Sequence, residues 1–155
     1  MAKILAIGSR CEVCEKDDEV CIVDIREGVG NIVGDVHNLY MFADDEFDRI
    51  EFHHVLEHIW PDEVVDVLKE LKRVLKAGGV LELSVPDMIA CAKTLLMGNR
   101  QILNNIFGTF EEPEYTSHKF GYTADTLEPI LKSVFSNVRN IPRKDEHEMR
   151  YECIK

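Results

Sequence analysis

The sequence predicts an α/β fold with a mostly parallel sheet, and three observations support this prediction. Short apolar or β-branched runs alternate with polar and helical segments along the chain. One segment after the fourth run is long, amphipathic and helical in its spacing. No internal repeat and no linker interrupts the alternation. Because strands that alternate with helices pack as a parallel sheet, we expect one α/β domain over residues 1–155.

Four short strands are predicted ahead of the amphipathic segment. They are apolar or β-branched runs over residues 3–9, 20–25, 31–35 and 47–55. Residues 10–19, between the first two strands, are polar and too few for a full crossover helix. We therefore expect a loop there, with one helical turn at most.

The clearest helix is predicted over residues 61–76. Its buried face is an apolar stripe at helical spacing, formed by Val64, Leu68, Leu71 and Leu75. Pro61 suits the first turn, and Gly78 suits the position beyond the last one. Acidic residues at the start and basic residues at the end complement the helix dipole. A fifth strand is predicted after it, over residues 80–86.

The second half of the chain continues the alternation. Residues 87–107 predict a helix that is broken at a Gly-Asn pair, and the polar residues 108–122 predict a loop. Another helix is predicted over residues 123–134, with Thr123 as its cap. Pro129 removes a backbone donor in this helix, so we expect it to be distorted or to start late.

Two final strands are predicted over residues 135–142 and 148–154. The charged residues between them suit a turn, so the two strands are expected to form a hairpin.

The composition excludes several classes of protein. The chain has 155 residues, of which 45% are hydrophobic and 30% charged, a balance typical of a globular domain with its own core. Its net charge of −11 repels phosphate backbones and anionic lipids, so we expect no nucleic acid and no membrane surface as partner. The first apolar run is too short for a signal peptide, which favours a cytoplasmic protein. The five cysteines, an odd number, are expected to be free thiols.

The ends of the predicted strands carry the first candidate site. Ligands of open α/β sheets bind outside the carboxyl ends of the strands. Gly8 allows a ligand close to the backbone, Asp24 can accept both hydroxyls of a ribose, and Asp35 could accept from an adenine amino group. Each residue alone is also compatible with an ordinary turn. Together, on three successive strands, they indicate an adenosine site without a glycine-rich phosphate loop.

A longer stretch of the sequence resembles a known family. FDRIEFHHVLEHIWPDEVVDVLKELKRVLKAGGVLELSVPD, residues 47–87, is similar to the central part of class I S-adenosylmethionine-dependent methyltransferases. In that family, a strand that begins Phe-Asp is followed by Val-Leu-Glu-His, an amphipathic helix, the motif Arg-Val-Leu-Lys-x-Gly-Gly and a second strand. In this sequence, Ala77 occupies the x position of that motif, where proline is commoner. VDIREGVGNIVGDVHNL, VPD and SHKFGYT resemble one compact subgroup of predicted methyltransferases with a shortened first crossover, some of them linked to surface-polysaccharide pathways.

The resemblance implies a Rossmann-like sheet of seven strands, mostly parallel with an antiparallel C-terminal strand, and S-adenosylmethionine as the cofactor. It also implies four pairs of cofactor-binding residues: Gly8 and Ser9, Asp24 and Ile25, Asp35 and Val36, His53 and Leu56. Gly8 and Ser9 approach the methionine part, and Asp24 binds the ribose. Ile25, Asp35 and Val36 contact the adenine. His53 and Leu56 lie at the methyl-bearing end. Arg10 departs from the family's Gly-x-Gly, and either crowds the methionine carboxylate or pairs with it.

Histidines and one glutamate form the second candidate site. The run His54-Val55-Leu56-Glu57-His58 matches a zinc-protease signature, but the proline that soon follows disfavours the helix such a site needs. Some small-RNA methyltransferases carry a metal on a similar stretch plus a distant histidine, and the matching set here is His54, Glu57, His58 and His118. We favour instead local hydrogen bonding of Glu57 and His58 at the start of the next helix. We accordingly expect no metal.

The catalytic candidates are His118, His58 and Glu57. His118 lies in the polar loop and could take a proton from a nucleophile. Lys119, its neighbour, would suit an anionic acceptor. Cys11, Cys14 and Cys21 are too few for a structural zinc site, which takes four ligands.

Two functions follow from these residues. The first is methyl transfer from S-adenosylmethionine to a small-molecule or sugar-type acceptor, with the loop of residues 111–122 serving the acceptor. The second is a non-catalytic domain of the same fold that binds a protein, which the altered motif after Gly8 would favour.

Overall fold

The computed structural model describes residues 1–8, 12, 14–109 and 111–155. Seven strands form one sheet: β1 (Lys3–Ile7), β2 (Glu19–Asp24), β3 (Ile32–Val33), β4 (Phe47–His53), β5 (Leu75–Pro86), β6 (Asn137–Ile141) and β7 (Glu148–Ile154). The helices are α1 (Val64–Val74), α2 (Met88–Leu96), α3 (Leu103–Phe107), α4 (Pro113–Thr116) and α5 (Ala124–Val134). Short 3-10 turns span Leu56–His58 and Arg100–Ile102.

The sheet has the strand order β3-β2-β1-β4-β5-β7-β6. The pairs from β3 to β5 are parallel, whereas β7 runs antiparallel to both β5 and β6. The predicted fold class is therefore confirmed, including the antiparallel last strand and the hairpin that it forms with β6.

The predicted helix over residues 61–76 is too long at both ends. It begins at Val64 and ends at Val74, because Leu75 is extended and pairs with Phe47 as the first residue of β5. Leu75 is fully buried, so pairing it in the sheet retains the burial that the helical stripe predicts. Gly78 is thus not the residue beyond the helix: it lies inside β5 with a φ of +76°, where the register against β4 shifts.

The second half contains one wrong prediction and one unexpected element. The break in the helix over residues 87–107 is confirmed, since α2 and α3 are separate. Distortion or a late start was expected for α5; the late start is wrong, because α5 begins directly after Thr123 and includes Pro129. Pro129 and Asp125 are both exposed residues, and Pro129 has no N–H to donate to the Asp125 carbonyl one turn earlier. The predicted loop over residues 108–122 contains the short helix α4.

The sheet has two unlike faces because side chains alternate along each strand. One face is apolar and contributes Leu5, Ile50, Phe52, Leu81 and Tyr151 to the core, which also contains the buried stripes of α1 and α5. The other face carries buried charged groups: Glu51, Glu82, Glu148 and Arg150. No helix in the described part of the chain is both long and apolar enough to cross a membrane.

Candidate active site

A cavity of about 380 Å³ opens at the carboxyl ends of β1, β2 and β3. Five residues with a predicted role in cofactor binding line it: Gly8, Asp24, Ile25, Asp35 and Val36. They meet here because the three strands are parallel and end at the same edge of the sheet. Ser9, predicted beside Gly8, lies outside the described residues, as do Arg10 and Cys11.

Gly8 ends β1 in a conformation that other residues rarely adopt. Its φ is +72°, and its backbone N–H donates to the Val23 carbonyl oxygen at 2.9 Å. A Cβ added here would lie 2.6 Å from Cγ2 of Val55, which is closer than such atoms approach. Glycine is therefore required at this position for both conformation and space.

The Asp24 carboxylate is buried and already bound by an arginine. Its Oδ1 accepts from the Arg26 backbone N–H at 2.8 Å and from Arg26 Nε at 3.0 Å, while Oδ2 accepts from Nη2 at 3.0 Å. Burial raises the pKa of Asp24, but the hydrogen bonds from Arg26 outweigh it, and the pKa lies below its ordinary value. Asp24 is thus an anion at neutral pH, and a ribose would share it with Arg26.

Asp35 is half-exposed and bound by its neighbour His37. Its Oδ1 accepts from the His37 backbone N–H at 2.9 Å and meets Nδ1 of the same ring at 2.5 Å. Burial raises the pKa of Asp35, and the two contacts with His37 lower it by more. The arrangement is that of a turn aspartate, and Asp35 still has acceptor capacity toward the cavity.

These residues fit the adenosine part of S-adenosylmethionine. Two anionic carboxylates, Asp24 and Asp35, accept hydrogen bonds and face one cavity. Ile25 and Val36 give that cavity apolar walls beside the carboxylates. The ribose hydroxyls and the adenine amino group of adenosine would donate to these carboxylates. The flat adenine ring would pack against the apolar walls.

His53 and Leu56, predicted at the methyl-bearing end, do not line the cavity. His53 is 4% exposed, and its Nδ1 is 3.1 Å from Ser84 Oγ on the charged face of the sheet. Burial, and then Arg150, lower the pKa of His53. Leu56 is fully buried in the core. The next residue along from His53, His54, lines the cavity instead, with a φ of +54° that turns the chain out of β4.

The catalytic candidates form a cluster at the other end of the cavity. Glu57 and His58 lie on the 3-10 turn after β4, where the Glu57 carbonyl accepts from the Lys119 backbone N–H at 2.7 Å. This bond places His118 beside them, and the rings of His58 and His118 meet edge to face with centroids 4.8 Å apart. His58 and His118 line the cavity, and Glu57 is buried behind them.

The Glu57 side chain is 1% exposed and meets no hydrogen-bond donor among the described residues. His54 Nδ1 lies 3.3 Å from Oε1, a poorly aligned contact that nevertheless raises the pKa of His54, and His118 Nε2 lies 4.0 Å from the same oxygen. The prediction that Glu57 forms a local hydrogen bond at the start of the next helix is wrong. The turn is separate from α1 and directs this carboxylate inwards.

Two further buried groups lie unpaired near Glu57. The His118 Nδ1 atom and the Tyr122 hydroxyl make no hydrogen bond within the described residues. Burial lowers the pKa of His118, so its ring is neutral at pH 7, and burial raises the pKa of Tyr122 to about 12. Lys119 lies elsewhere, with Nζ 5.6 Å from the centre of the Trp60 ring.

Several residues at the cavity were not predicted from the sequence. Arg26 was missed, although an arginine two residues after a strand-end aspartate is a usable signal. Asn104, Thr109 and Tyr115 also line the cavity, from the region of α3 and α4. No pattern in the sequence points to them, since tertiary packing alone brings that region to the strand ends.

The comparisons with known proteins agree with this geometry. Residues 8–83 match the profile of a family described as a methyltransferase domain. No curated protein matches the chain significantly.

Among solved structures, a SAM-dependent methyltransferase from Archaeoglobus fulgidus is similar over 99% of this chain and 86% of its own, with 16% identity and a TM-score of 0.68. The family match over residues 8–83 and the shared fold support an S-adenosylmethionine-dependent methyltransferase. S-adenosylmethionine is the cofactor of this methyltransferase, and methyl transfer is its reaction.

Two more structures show the same fold. A SAM-dependent methyltransferase from Methanosarcina mazei is 19% identical to this methyltransferase, over 99% of this chain and 90% of its own, with a TM-score of 0.62. A 1,6-didemethyltoxoflavin-N1-methyltransferase from Burkholderia thailandensis, solved with that compound and S-adenosylhomocysteine, is 16% identical over 99% of this chain and 71% of its own, with a TM-score of 0.64.

Proposed function

We propose that this methyltransferase transfers the methyl group to a hydroxyl or carboxyl oxygen of a small-molecule or sugar-type acceptor. One observation carries the proposal. The adenosine-binding residues line the same cavity as His58 and His118, with Glu57 buried behind these two histidines, so a cofactor and a small acceptor would lie end to end.

The cofactor takes the strand-end part of the cavity in this proposal. Asp24 accepts from the ribose hydroxyls, Ile25 and Val36 cover the adenine, and Asp35 accepts from its amino group. Gly8, at the end of β1, approaches the methionine part. Bound there, S-adenosylmethionine supplies an electrophilic methyl group whose departure leaves a neutral thioether.

The acceptor takes the part of the cavity next to α3 and α4. Asn104, Thr109 and Tyr115 line it and offer amide and hydroxyl groups, which suit a polar acceptor better than an apolar one. The Burkholderia thailandensis enzyme, with the same fold, holds a small molecule together with S-adenosylhomocysteine. The size of the cavity, about 380 Å³, also favours a small acceptor over a polymer.

The protein's part in the chemistry is alignment and removal of a proton. A cavity of this kind holds the acceptor oxygen in line with the methyl carbon and the sulfur, which accounts for much of the rate. A hydroxyl must also lose its proton, and we assign this step to the cluster of Glu57, His58 and His118, which meets the acceptor part.

We place the protein in the cytoplasm, in one methyltransferase domain over residues 1–155. Cys14, Cys21, Cys91 and Cys153 are free, as is usual in a reducing compartment.

Calorimetric titration with S-adenosylhomocysteine, followed by a screen of small hydroxylated acceptors with labelled S-adenosylmethionine, tests the proposal. Binding of S-adenosylhomocysteine and transfer of label to a small acceptor are expected. The absence of binding at millimolar S-adenosylhomocysteine would contradict the proposal and favour a non-catalytic, protein-binding role.

A further inference from the structure

Helix α2 presents an apolar face to solvent. Ile89 is 52% exposed, Leu96 is 88% exposed, and Met97, directly after the helix, is 86% exposed, whereas Cys91 is the helix residue that is buried. An ordinary surface helix buries its apolar stripe and exposes its polar one. The exposed positions follow helical spacing and share one side of the helix, which we call the α2 face: Ile89, Ala92, Lys93, Leu96 and Met97.

The α2 face belongs to the longest stretch of the sequence without an acidic residue. All 29 acidic residues of the chain lie outside residues 88–110, where Lys93 and Arg100 are the charged side chains. The remainder of the chain is therefore strongly acidic, while this stretch is apolar with a small positive charge. A cluster of exposed apolar side chains that differs in this way from its surroundings marks an interaction site.

Charge decides which partner fits the α2 face. The net charge of −11 repels anionic partners such as nucleic acid and anionic lipid. A cationic partner is attracted to the acidic remainder of the chain and not to the stretch that carries Lys93 and Arg100. The α2 face therefore requires a partner surface that is apolar and free of acidic groups. A second α2 face has both properties.

Two α2 faces are complementary when the helices run antiparallel about a twofold axis. Ile89 of each protomer then lies opposite Leu96 of the other, and every contact occurs twice. Ala92 lies between these two residues on the same face, and its small side chain allows the helices to approach to about 8–10 Å. Lys93, at the edge, covers apolar surface with its methylene groups and keeps its amine in water.

We propose that the α2 face binds the α2 face of a second copy of this chain and forms a dimer with twofold symmetry. The inference goes beyond the proposed function and does not depend on it. The contact is nevertheless close to the candidate active site, because α2 packs against α3, and Asn104 of α3 lines the cavity. The dimer contact is thus one helix away from a wall of the cavity.

Sedimentation velocity of the purified chain over a range of concentrations tests the dimer. We expect the wild type to dimerise in the micromolar range. Leu96→Glu should raise the dissociation constant about tenfold or more, because it buries an unpaired charge in an apolar contact. Tyr40→Glu is the matched control, since Tyr40 is 80% exposed and lies outside the α2 face, and it should remain dimeric. Circular dichroism and thermal unfolding confirm that each variant is folded.

A cysteine crosslink tests the antiparallel arrangement. Ala92 lies near the proposed twofold axis, so Ala92→Cys should form a disulfide-linked dimer under mild oxidation. Lys69→Cys, at an exposed position on α1, is the control for random crosslinking, and the wild type is the control for its own exposed Cys14. A crosslinked dimer no more abundant in Ala92→Cys than in these controls would contradict the arrangement.

The outcomes separate the dimer from other occupants of the α2 face and from the proposed function. A wild type that is monomeric throughout the micromolar range, or a dimer that Leu96→Glu does not weaken, overturns the proposal. Binding of monomeric wild type, but not of Leu96→Glu, to vesicles of phosphatidylcholine and phosphatidylglycerol would also overturn it and assign the face to lipid. None of these results depends on S-adenosylhomocysteine binding or on finding an acceptor.

Discussion

Asp24 combines a structural contact with a proposed role in cofactor binding. Its carboxylate is 4% exposed and accepts three hydrogen bonds from Arg26, whose Nη1 also lies 3.5 Å from Glu112 Oε2. An ionised carboxylate can accept more than three hydrogen bonds, so ribose hydroxyls could be added to those of Arg26. Arg26 therefore connects the cofactor site with the segment that leads into α4.

Replacing Asp24 should weaken cofactor binding. We expect Asp24→Ala to reduce S-adenosylhomocysteine affinity by about 1–3 kcal/mol, because a charged hydrogen-bond acceptor is lost from a buried site. Isothermal titration calorimetry measures this directly. Asp66→Ala, at an exposed position on α1 that does not line the cavity, is the control. Equal affinity in Asp24→Ala and the wild type would remove Asp24 from the ribose site.

Replacing His118 should separate catalysis from cofactor binding. In the proposed function His118 lies in the acceptor part of the cavity, so His118→Ala should keep S-adenosylhomocysteine affinity within about 0.5 kcal/mol. Turnover with an identified acceptor should fall by roughly 10²-fold or more. His147→Ala, outside the cavity, is the control for both measurements. Unchanged turnover in His118→Ala would exclude a catalytic part for this residue, and a large loss of affinity would place it against the cofactor.

At the scale of elements, two contributions fix the start of α5: a local hydrogen bond at its first turn and the burial of one of its faces in the core. The Thr126 hydroxyl oxygen accepts from the Thr123 backbone N–H at 2.9 Å, which satisfies a donor ahead of the helix. Leu127, Leu131 and Val134 then bury one face of α5 in the core. These two contributions outweigh the donor that Pro129 lacks.

Removal of the Thr126 hydroxyl should destabilise the protein. Thr126→Val has almost the same shape and cannot accept from the Thr123 N–H, so we expect a loss of about 0.5–1.5 kcal/mol in unfolding free energy. Urea unfolding gives this value. Ser133→Ala removes an exposed hydroxyl at the other end of α5 and is the control. A loss no larger than that of the control would show that the helix start does not depend on this bond.

Across the whole molecule, buried charges join strands that are far apart in the chain. Arg150 of β7 pairs with Glu82 of β5, and with Glu12 at 3.2 Å. His53 of β4 lies beside this network, with Nε2 3.7 Å from Glu12 Oε2. The charged face of the sheet is therefore held by ion pairs, while the opposite face is held by apolar packing.

The network should make stability depend on pH through His53. Its pKa in the folded protein is lowered, first by burial and then by Arg150, relative to about 6.5 for an unfolded histidine. The stabilisation is therefore complete above pH 6.5 and is lost as the pH falls through the folded-state pKa. We expect the difference in unfolding free energy between wild type and His53→Gln to shrink from pH 7.5 to pH 5. Parallel pH profiles of the two proteins would contradict this.

The strand-end residues show how far the sequence leads to the candidate site. Gly8, Asp24 and Asp35 were found because each follows an apolar run, and parallel strands bring their carboxyl ends together. His53 was misplaced for a related reason. Alternation decides which face a strand residue occupies, but only the end of β4, at a residue with positive φ, decides that His54 and not His53 meets the cavity.

The sequence by itself determined the seven strands, the helices other than α4, their order and the fold class, because strand and helix patterns depend on neighbours within a few residues. It also determined that carboxylates stand at the strand ends. Only the tertiary structure decided that Glu57 is buried beside His118 and that Leu75 belongs to β5. Both depend on pairing between segments distant in the chain, Glu57 with the segment at residues 118–120 and Leu75 with Phe47, and such pairing has no local pattern.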